Sequence, residues 1–104
     1  MQKIINETEE MAYIYLKAFG FREEEIAPIV KRGKKDLETT LIKLHNMLDR
    51  NYVTDQELDD ILHSLKGLLF HMGNNTLAQE VDEIRNDTNR KNLEHRLTIL
   101  FFDI

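Results

Sequence analysis

Turn-forming residues are rare in this chain, which has one proline and four glycines among 104 residues. Apolar residues recur every three or four positions along almost the whole sequence, a spacing typical of amphipathic helices rather than strands. Short connections between such helices favour antiparallel neighbours. The sequence therefore predicts a single all-α domain over residues 1–104, an antiparallel up-down four-helix bundle over 28–102 with an N-terminal helical extension over 1–27.

The predicted helices cover about residues 3–19, 28–50, 54–72, 76–87 and 90–102. Thr54 and Glu57 form a capping box, in which the threonine oxygen accepts a backbone N–H and the glutamate reaches back. Asn74 or Asn75 is expected to cap the fourth helix. Pro28 is expected near the start of the second helix, because proline deep inside a helix removes a hydrogen bond.

Apolar stripes define the candidate core. In the first predicted helix the stripe consists of Ile4, Met11, Ala12, Tyr15 and Phe19. In the third it consists of Leu58, Ile61, Leu62, Leu65, Leu69 and Met72. Met47 is a further expected core residue, and Gly33 marks a possible interruption of the second helix. The C-terminal run 99–102 is expected to dock on the core, with an interaction tail as the alternative.

Composition excludes several classes of function. The chain has no cysteine, which excludes disulfides, cysteine-based zinc sites and thiol nucleophiles. Its formal net charge of −5 argues against general nucleic-acid binding. No apolar run is long enough to cross a bilayer, so a soluble, cytoplasmic protein without a targeting segment is expected. His45, His71 and His95 lie on different predicted helices without metal-ligand spacing, so no metal site is expected.

Gly67 lies in the middle of the third predicted helix, where glycine costs about 1 kcal/mol relative to alanine. On a helical wheel, His63 and Gly67 lie about 140° and 180° from Leu58, and so outside the core stripe. Lys66 lies one turn after His63. The sequence thus predicts an accessible imidazole with an ammonium group and a bare stretch of backbone beside it.

This combination of side chains suits phosphoryl transfer through histidine. A neutral imidazole is a good nucleophile near neutral pH. A lysine one turn away neutralises the oxygens of an arriving phosphoryl group, and catalysis of this kind is mainly positioning and electrostatics. A glycine in the next position lets the active site of another protein approach the ring.

A short motif resembles the signature of histidine-containing phosphotransfer (HPt) domains, which reads His-x-apolar-Lys-Gly, followed by an apolar residue and a glycine. In this chain the motif is His63-Ser64-Leu65-Lys66-Gly67, with Met72-Gly73 at the expected distance. The resemblance extends over roughly residues 28–102. It implies that His63 is phosphorylated, that Lys66 stabilises the phosphoryl group, and that Gly67 gives access to the docking surface.

The resemblance also implies a function in signal transduction. Proteins of this family are phosphoryl carriers of two-component phosphorelays and not kinases. They move the phosphoryl group between receiver-domain aspartates, usually from a hybrid sensor histidine kinase to a response regulator. The Mg²⁺ belongs to the receiver domain, so this chain is expected to have no cofactor of its own and to act as a monomer.

The chain departs from the family where small residues usually follow the glycine, because it has Leu68, Leu69 and Phe70 there. Leu69 belongs to the core stripe. Phe70 lies only about 20° around the helix from His63, where it either contacts the receiver or obstructs it. Phe70 and Asp59 are the predicted partner-binding residues. The alternatives for Asp59 are that it raises the basicity of His63 one turn later or that it only complements the helix dipole.

A second function remains open on the same residues. The bulky side chains after Gly67 also suit a non-catalytic adaptor or inhibitor that binds a receiver or a kinase without phosphotransfer. The basic run 31–35 is either solvated surface or a contact for an acidic partner.

Overall fold

The computed structural model of the protein describes residues 1–50 and 52–102, and all regular secondary structure in these ranges is helical. Five α-helices follow one another along the chain: α1 (Gln2–Ala18), α2 (Glu23–Asp49), α3 (Asp55–His71), α4 (Asn75–Arg85) and α5 (Arg90–Leu97). A π-helical segment, Thr98–Phe102, continues α5. The predicted all-α fold is confirmed for the described residues.

Consecutive helices pack against each other in the order of the chain. In the pair α3 and α4, Lys66 contacts Asp82, whereas the earlier residue His63 contacts the later residue Arg85. The two helices are therefore antiparallel. The described part of the chain has extents of 45 × 25 × 21 Å, and none of its helices is long and apolar enough to cross a membrane.

Aliphatic side chains from all five helices fill the core, together with one phenylalanine. The largest fully buried side chains are Phe101, Ile5, Ile26, Leu37, Leu41, Leu44, Leu62, Leu65, Leu69, Leu97, Val30 and Val81. Each contributes roughly 1.5–3 kcal/mol by leaving water. The predicted stripe of α3 is confirmed, because all its members from Leu58 to Met72 are buried. Burial of Phe101 confirms that the C-terminal run docks on the core.

The predicted stripe of α1 is correct at Ala12, and Ile4 and Tyr15 also pack against the core, but it is wrong at Met11 and Phe19. The buried residues are Ile5, Thr8, Ala12 and Leu16, whereas Met11 and Phe19 are 40% and 67% exposed and Ile4 and Tyr15 are half-buried. The physical reason is a polar residue inside the core. The buried hydroxyl oxygen of Thr8 accepts a hydrogen bond of 2.9 Å from Nδ2 of Asn74, which removes the usual penalty for burying a hydroxyl group.

The second helix begins at Glu23, and the prediction that it begins at Pro28 is wrong. Pro28 lies inside the second turn and is exposed, so water can solvate the carbonyl group that loses its N–H partner. Ile26 and Val30 anchor this turn, because each is only 2% exposed. At the start of the helix, the Glu25 carboxylate accepts hydrogen bonds from the backbone N–H and Nε of Arg22.

Gly33 does not interrupt α2, which is continuous from Glu23 to Asp49. It marks the close approach of α2 to the end of α3. A Cβ added at Gly33 would lie 3.2 Å from the Met72 side chain, tighter than ordinary van der Waals contact. The glycine therefore lets Met72 reach the core between the two helices.

Side-chain caps set the start of α3 and α4. The predicted capping box is confirmed, since Oγ1 of Thr54 accepts the Glu57 N–H at 3.1 Å and Oε2 of Glu57 accepts the Thr54 N–H at 2.9 Å. Asn74, rather than Asn75, caps α4, because its Oδ1 accepts the Leu77 N–H at 3.3 Å. These caps orient the two helices that carry the candidate site.

Candidate functional site

The candidate site lies on the outer face of α3, where α4 runs beside it. His63 is exposed, and Lys66 and Gly67 follow one turn later, both half-buried. The structure therefore brings together the three residues that the sequence places on one helix face. It adds two residues from α4, Arg85 and Asp82, which contact His63 and Lys66 respectively.

Arg85 is fixed beside the histidine by a carboxylate. Its Nε and Nη2 donate hydrogen bonds to Oδ1 and Oδ2 of Asp59 at 2.7 and 3.1 Å. Its Nη1 lies 3.2 Å from Nδ1 of His63. A guanidinium group only donates hydrogen bonds, so Nδ1 is the acceptor and a neutral ring carries its proton on Nε2. Among the described residues, no hydrogen bond to Nε2 is present.

Lys66 is engaged by a carboxylate of its own. Its Nζ lies 3.0 Å from Oδ1 of Asp82, and the same oxygen lies 4.0 Å from Nη1 of Arg85. The Lys66 and Asp82 side chains are each 39% exposed. A pair this exposed contributes only about 0–1 kcal/mol, so a competing anion can replace Asp82 at little cost.

Asp59 therefore has a partner within the chain. The hydrogen bonds from Arg85 hold the pKa of the Asp59 carboxyl below its ordinary value. Burial opposes this shift, and the charges of Arg85 and His63 lower the pKa by smaller amounts. The same hydrogen bonds raise the pKa of Arg85. The ion pair between Asp59 and Arg85 joins α3 to α4, a role that none of the sequence-based interpretations of Asp59 included.

This depressed pKa predicts a loss of stability in acid. A carboxyl group with a lowered folded-state pKa stabilises the fold above its unfolded-state pKa, about 3.9, and loses that contribution as the pH falls through the folded value. We expect the free energy of unfolding to change little between about pH 7 and 5 and to decrease below about pH 4. Asp59→Asn should show a smaller acid-induced decrease in urea titrations followed by circular dichroism. An unchanged decrease in Asp59→Asn would contradict the prediction.

Gly67 faces open space. A Cβ added there meets no atom within 4 Å outside its own helix backbone and sequence neighbours. Packing within the chain therefore gives no reason for glycine at this position. Phe70 is 54% exposed, and its ring packs edge-to-face against His71, with 6.2 Å between centroids, while His63 stays exposed. Leu69 is fully buried, as predicted.

Arg85 and Asp82 are the site residues that sequence reasoning missed. A signal for both was present in the helical hairpin that turns at Asn74. His63 and Arg85 are each eleven positions from Asn74, and Lys66 and Asp82 are each eight positions from it. An antiparallel pair of helices places residues at equal distances from the turn opposite each other. In the predicted hairpin, this pairing of equidistant residues places Arg85 opposite His63 and Asp82 opposite Lys66.

No metal centre accompanies these residues, since the described ranges contain no group of three or more His, Cys, Asp or Glu side chains arranged to hold a metal ion. Comparison with family models, curated proteins and solved structures finds no significant match to the chain. The site combines an exposed imidazole, the Arg85 guanidinium that contacts it, the Lys66 ammonium one turn along α3, and two carboxylates that pair with these cations.

Proposed function

We propose that this protein is a phosphoryl carrier of a two-component phosphorelay. His63 receives a phosphoryl group from the aspartate of one receiver domain, within a hybrid sensor histidine kinase, and passes it to the receiver of a response regulator. The observation that carries the proposal is the exposed His63 between Lys66 and Arg85, with the open backbone of Gly67 beside it. The protein is a carrier and not a kinase.

The packing of each helix against the next supports the proposed architecture. In this proposal, helices α2 to α5 form an antiparallel up-down four-helix bundle, and α1 adds a fifth helix against α2. Within this bundle α3 presents the histidine on a rigid surface. The carrier acts as a monomer in the cytoplasm, where its receiver partners supply the Mg²⁺.

The transfer step needs one lone pair on the ring. Because Arg85 is at Nδ1, Nε2 is the nitrogen available to a partner. With Arg85 at Nδ1, the resting ring carries its proton on Nε2, so the ring first leaves Arg85 and the proton moves to Nδ1. The Nε2 lone pair then attacks the phosphorus of the receiver's aspartyl phosphate, the P–O bond to the carboxyl group breaks, and the aspartate leaves with that electron pair. The ring proton on Nδ1 then passes to solvent. The reverse step returns the phosphoryl group to the next aspartate.

Lys66 stabilises the transferred group by exchanging partners. In the resting site its ammonium contacts Asp82. A phosphoryl group on His63 brings more negative charge than one carboxylate, so Lys66 moves from Asp82 to the phosphoryl oxygens. The carboxylate therefore keeps the lysine oriented without sequestering it.

Gly67→Ala tests the docking surface, and its effects on stability and activity should have opposite signs. The added methyl group meets nothing inside the chain, so helix propensity alone should raise the free energy of unfolding by up to about 1 kcal/mol. The same methyl group on the docking face should slow transfer from a phosphorylated receiver about tenfold or more. Denaturant titration and transfer kinetics on the same preparations measure the two effects.

Ser64→Ala is the matched control for Gly67→Ala, because Ser64 is exposed on the same helix and lines a groove toward Thr40 of α2. It should transfer at nearly the wild-type rate. Wild-type transfer by Gly67→Ala would show that a receiver does not need this stretch of bare backbone.

The second candidate, a non-catalytic adaptor, draws support from two observations. Both cations of the site are already neutralised by carboxylates, and the exposed Phe70 offers a partner an apolar contact that needs no chemistry. An adaptor of this kind binds a receiver equally well with and without His63.

A further inference from the structure

Arg85 is held more firmly than a surface arginine usually is. Two hydrogen bonds fix its guanidinium to Asp59, and the side chain is only 24% exposed. The remaining nitrogen, Nη1, points to Nδ1 of His63 at 3.2 Å. A permanently charged donor is thus kept at one nitrogen of the ring that the proposed function needs as a nucleophile.

We propose that Arg85 is a positioning residue that selects the tautomer of His63 and prolongs the lifetime of the phosphorylated histidine. This role rests on the proposed function, because it concerns the phosphoryl group that His63 carries. Asp59 is the residue that holds Arg85 in place.

In the unphosphorylated protein, the Arg85 contact disfavours attack. An N–H donor at Nδ1 favours the neutral tautomer with its proton on Nε2, and that nitrogen then has no lone pair to give. Attack through Nε2 requires the proton at Nδ1, where it would face the guanidinium donor. The His63 ring must therefore move away from Arg85 before it reacts. The contact thus slows the transfer of a phosphoryl group to His63.

In the phosphorylated protein, the same contact is favourable. With phosphorus on Nε2, a neutral ring has an unprotonated Nδ1, which accepts the Arg85 hydrogen bond. Loss of the phosphoryl group breaks the P–N bond and leaves the electron pair on Nε2, and this is easiest when Nδ1 is protonated. A guanidinium beside Nδ1 opposes that protonation, so both hydrolysis and return transfer are slowed.

The other charged groups near the His63 ring determine which tautomer it prefers when Arg85 is replaced. Asp59 and Lys66 flank His63 on α3, and Asp82 approaches from α4. In Arg85→Gln the Asp59 carboxylate no longer has its cation and becomes an acceptor for a proton on Nδ1. We therefore expect the substitution to reverse the tautomer preference and to remove the protection of the phosphorylated form.

The test combines tautomer measurement with a receiver-independent phosphodonor. Long-range ¹H–¹⁵N spectra at about pH 8, above the ordinary pKa of a histidine side chain, should show His63 with its proton on Nε2 in wild type and largely on Nδ1 in Arg85→Gln. After loading with phosphoramidate and removal of the donor, the phosphohistidine half-life should be about tenfold shorter in Arg85→Gln. The pH at which loss accelerates should move upward in the same variant.

Two further variants separate positioning from structural support. Arg90→Gln breaks another ion pair between helices, the one from Arg90 to Asp55, and should change neither the tautomer nor the half-life. Arg85→Lys keeps the charge but not the fork that bonds Asp59 and His63 together, so its half-life should lie between those of wild type and Arg85→Gln.

The results distinguish the two proposals. If receivers load His63 but Arg85→Gln keeps the wild-type tautomer and half-life, the role of Arg85 is wrong and the proposed function stands. If phosphoramidate loads His63 with the expected differences but no receiver does, the role stands and the carrier function is wrong. If neither donor labels His63, both are overturned.

Discussion

His63→Gln is expected to accept no phosphoryl group from a phosphorylated receiver domain. Glutamine is similar in size to histidine, but its amide is not a nucleophile, so the substitution removes the chemistry and keeps the shape of the surface. Because His63 is exposed, the free energy of unfolding should change by no more than about 0.5 kcal/mol. Incubation with a radiolabelled phospho-receiver should give acid-labile, alkali-stable label on wild type and none on the variant.

His71→Gln is the matched control, since His71 is also an exposed histidine of α3. It should retain the full amount of label. Label that persists on His63→Gln would show that His63 is not the phosphorylated residue. Equal receiver binding by wild type and His63→Gln, with no label on either, would establish the adaptor function instead.

Gly73→Ala is expected to destabilise the fold by about 2–5 kcal/mol. Gly73 has a φ of +80°, in the left-handed region, and an added Cβ would lie 2.6 Å from Cβ of Tyr15 on α1. Two effects therefore combine: backbone strain at the end of α3, and a collision that forces α1 away from the turn. Urea denaturation followed by circular dichroism measures the loss.

Gly20→Ala separates the two effects. Gly20 has a similar φ of +90°, but an added Cβ there meets nothing within 4 Å. The control should lose only the strain contribution, about 1–2 kcal/mol. Equal losses in the two variants would mean that the contact between Tyr15 and the turn at Gly73 adds nothing to stability.

Local signals explain why α3 was predictable. Its start depends on Thr54 and Glu57, which are three residues apart, and its buried face repeats with the helical period. The placement of His63, Lys66 and Gly67 on an exposed face follows from the same period. The fold class and the placement of these three residues on one exposed helix face can therefore be predicted from the sequence alone.

The sequence-based predictions are wrong or incomplete where a residue far along the chain determines the local structure. The buried Thr8 has its hydrogen-bond donor in Asn74, far along the chain, and without that knowledge an all-apolar stripe is the better prediction for α1. Pro28 continues a helix because Ile26 and Val30 are anchored in the core, and tertiary packing outweighs the local preference. Arg85 becomes a site residue only through the register of α3 against α4.

The double use of Asn74 also has a consequence for the order of folding during synthesis. Its Oδ1 caps α4, while its Nδ2 reaches Thr8, 66 positions earlier in the chain. Because α1 is synthesised before α3, the hydroxyl group of Thr8 cannot receive this hydrogen bond until α3 and the following turn have been made. Closing so long a loop is slow compared with forming the helices themselves. We therefore expect α1 to pack first against α2 and to complete its packing only after Asn74 has been synthesised.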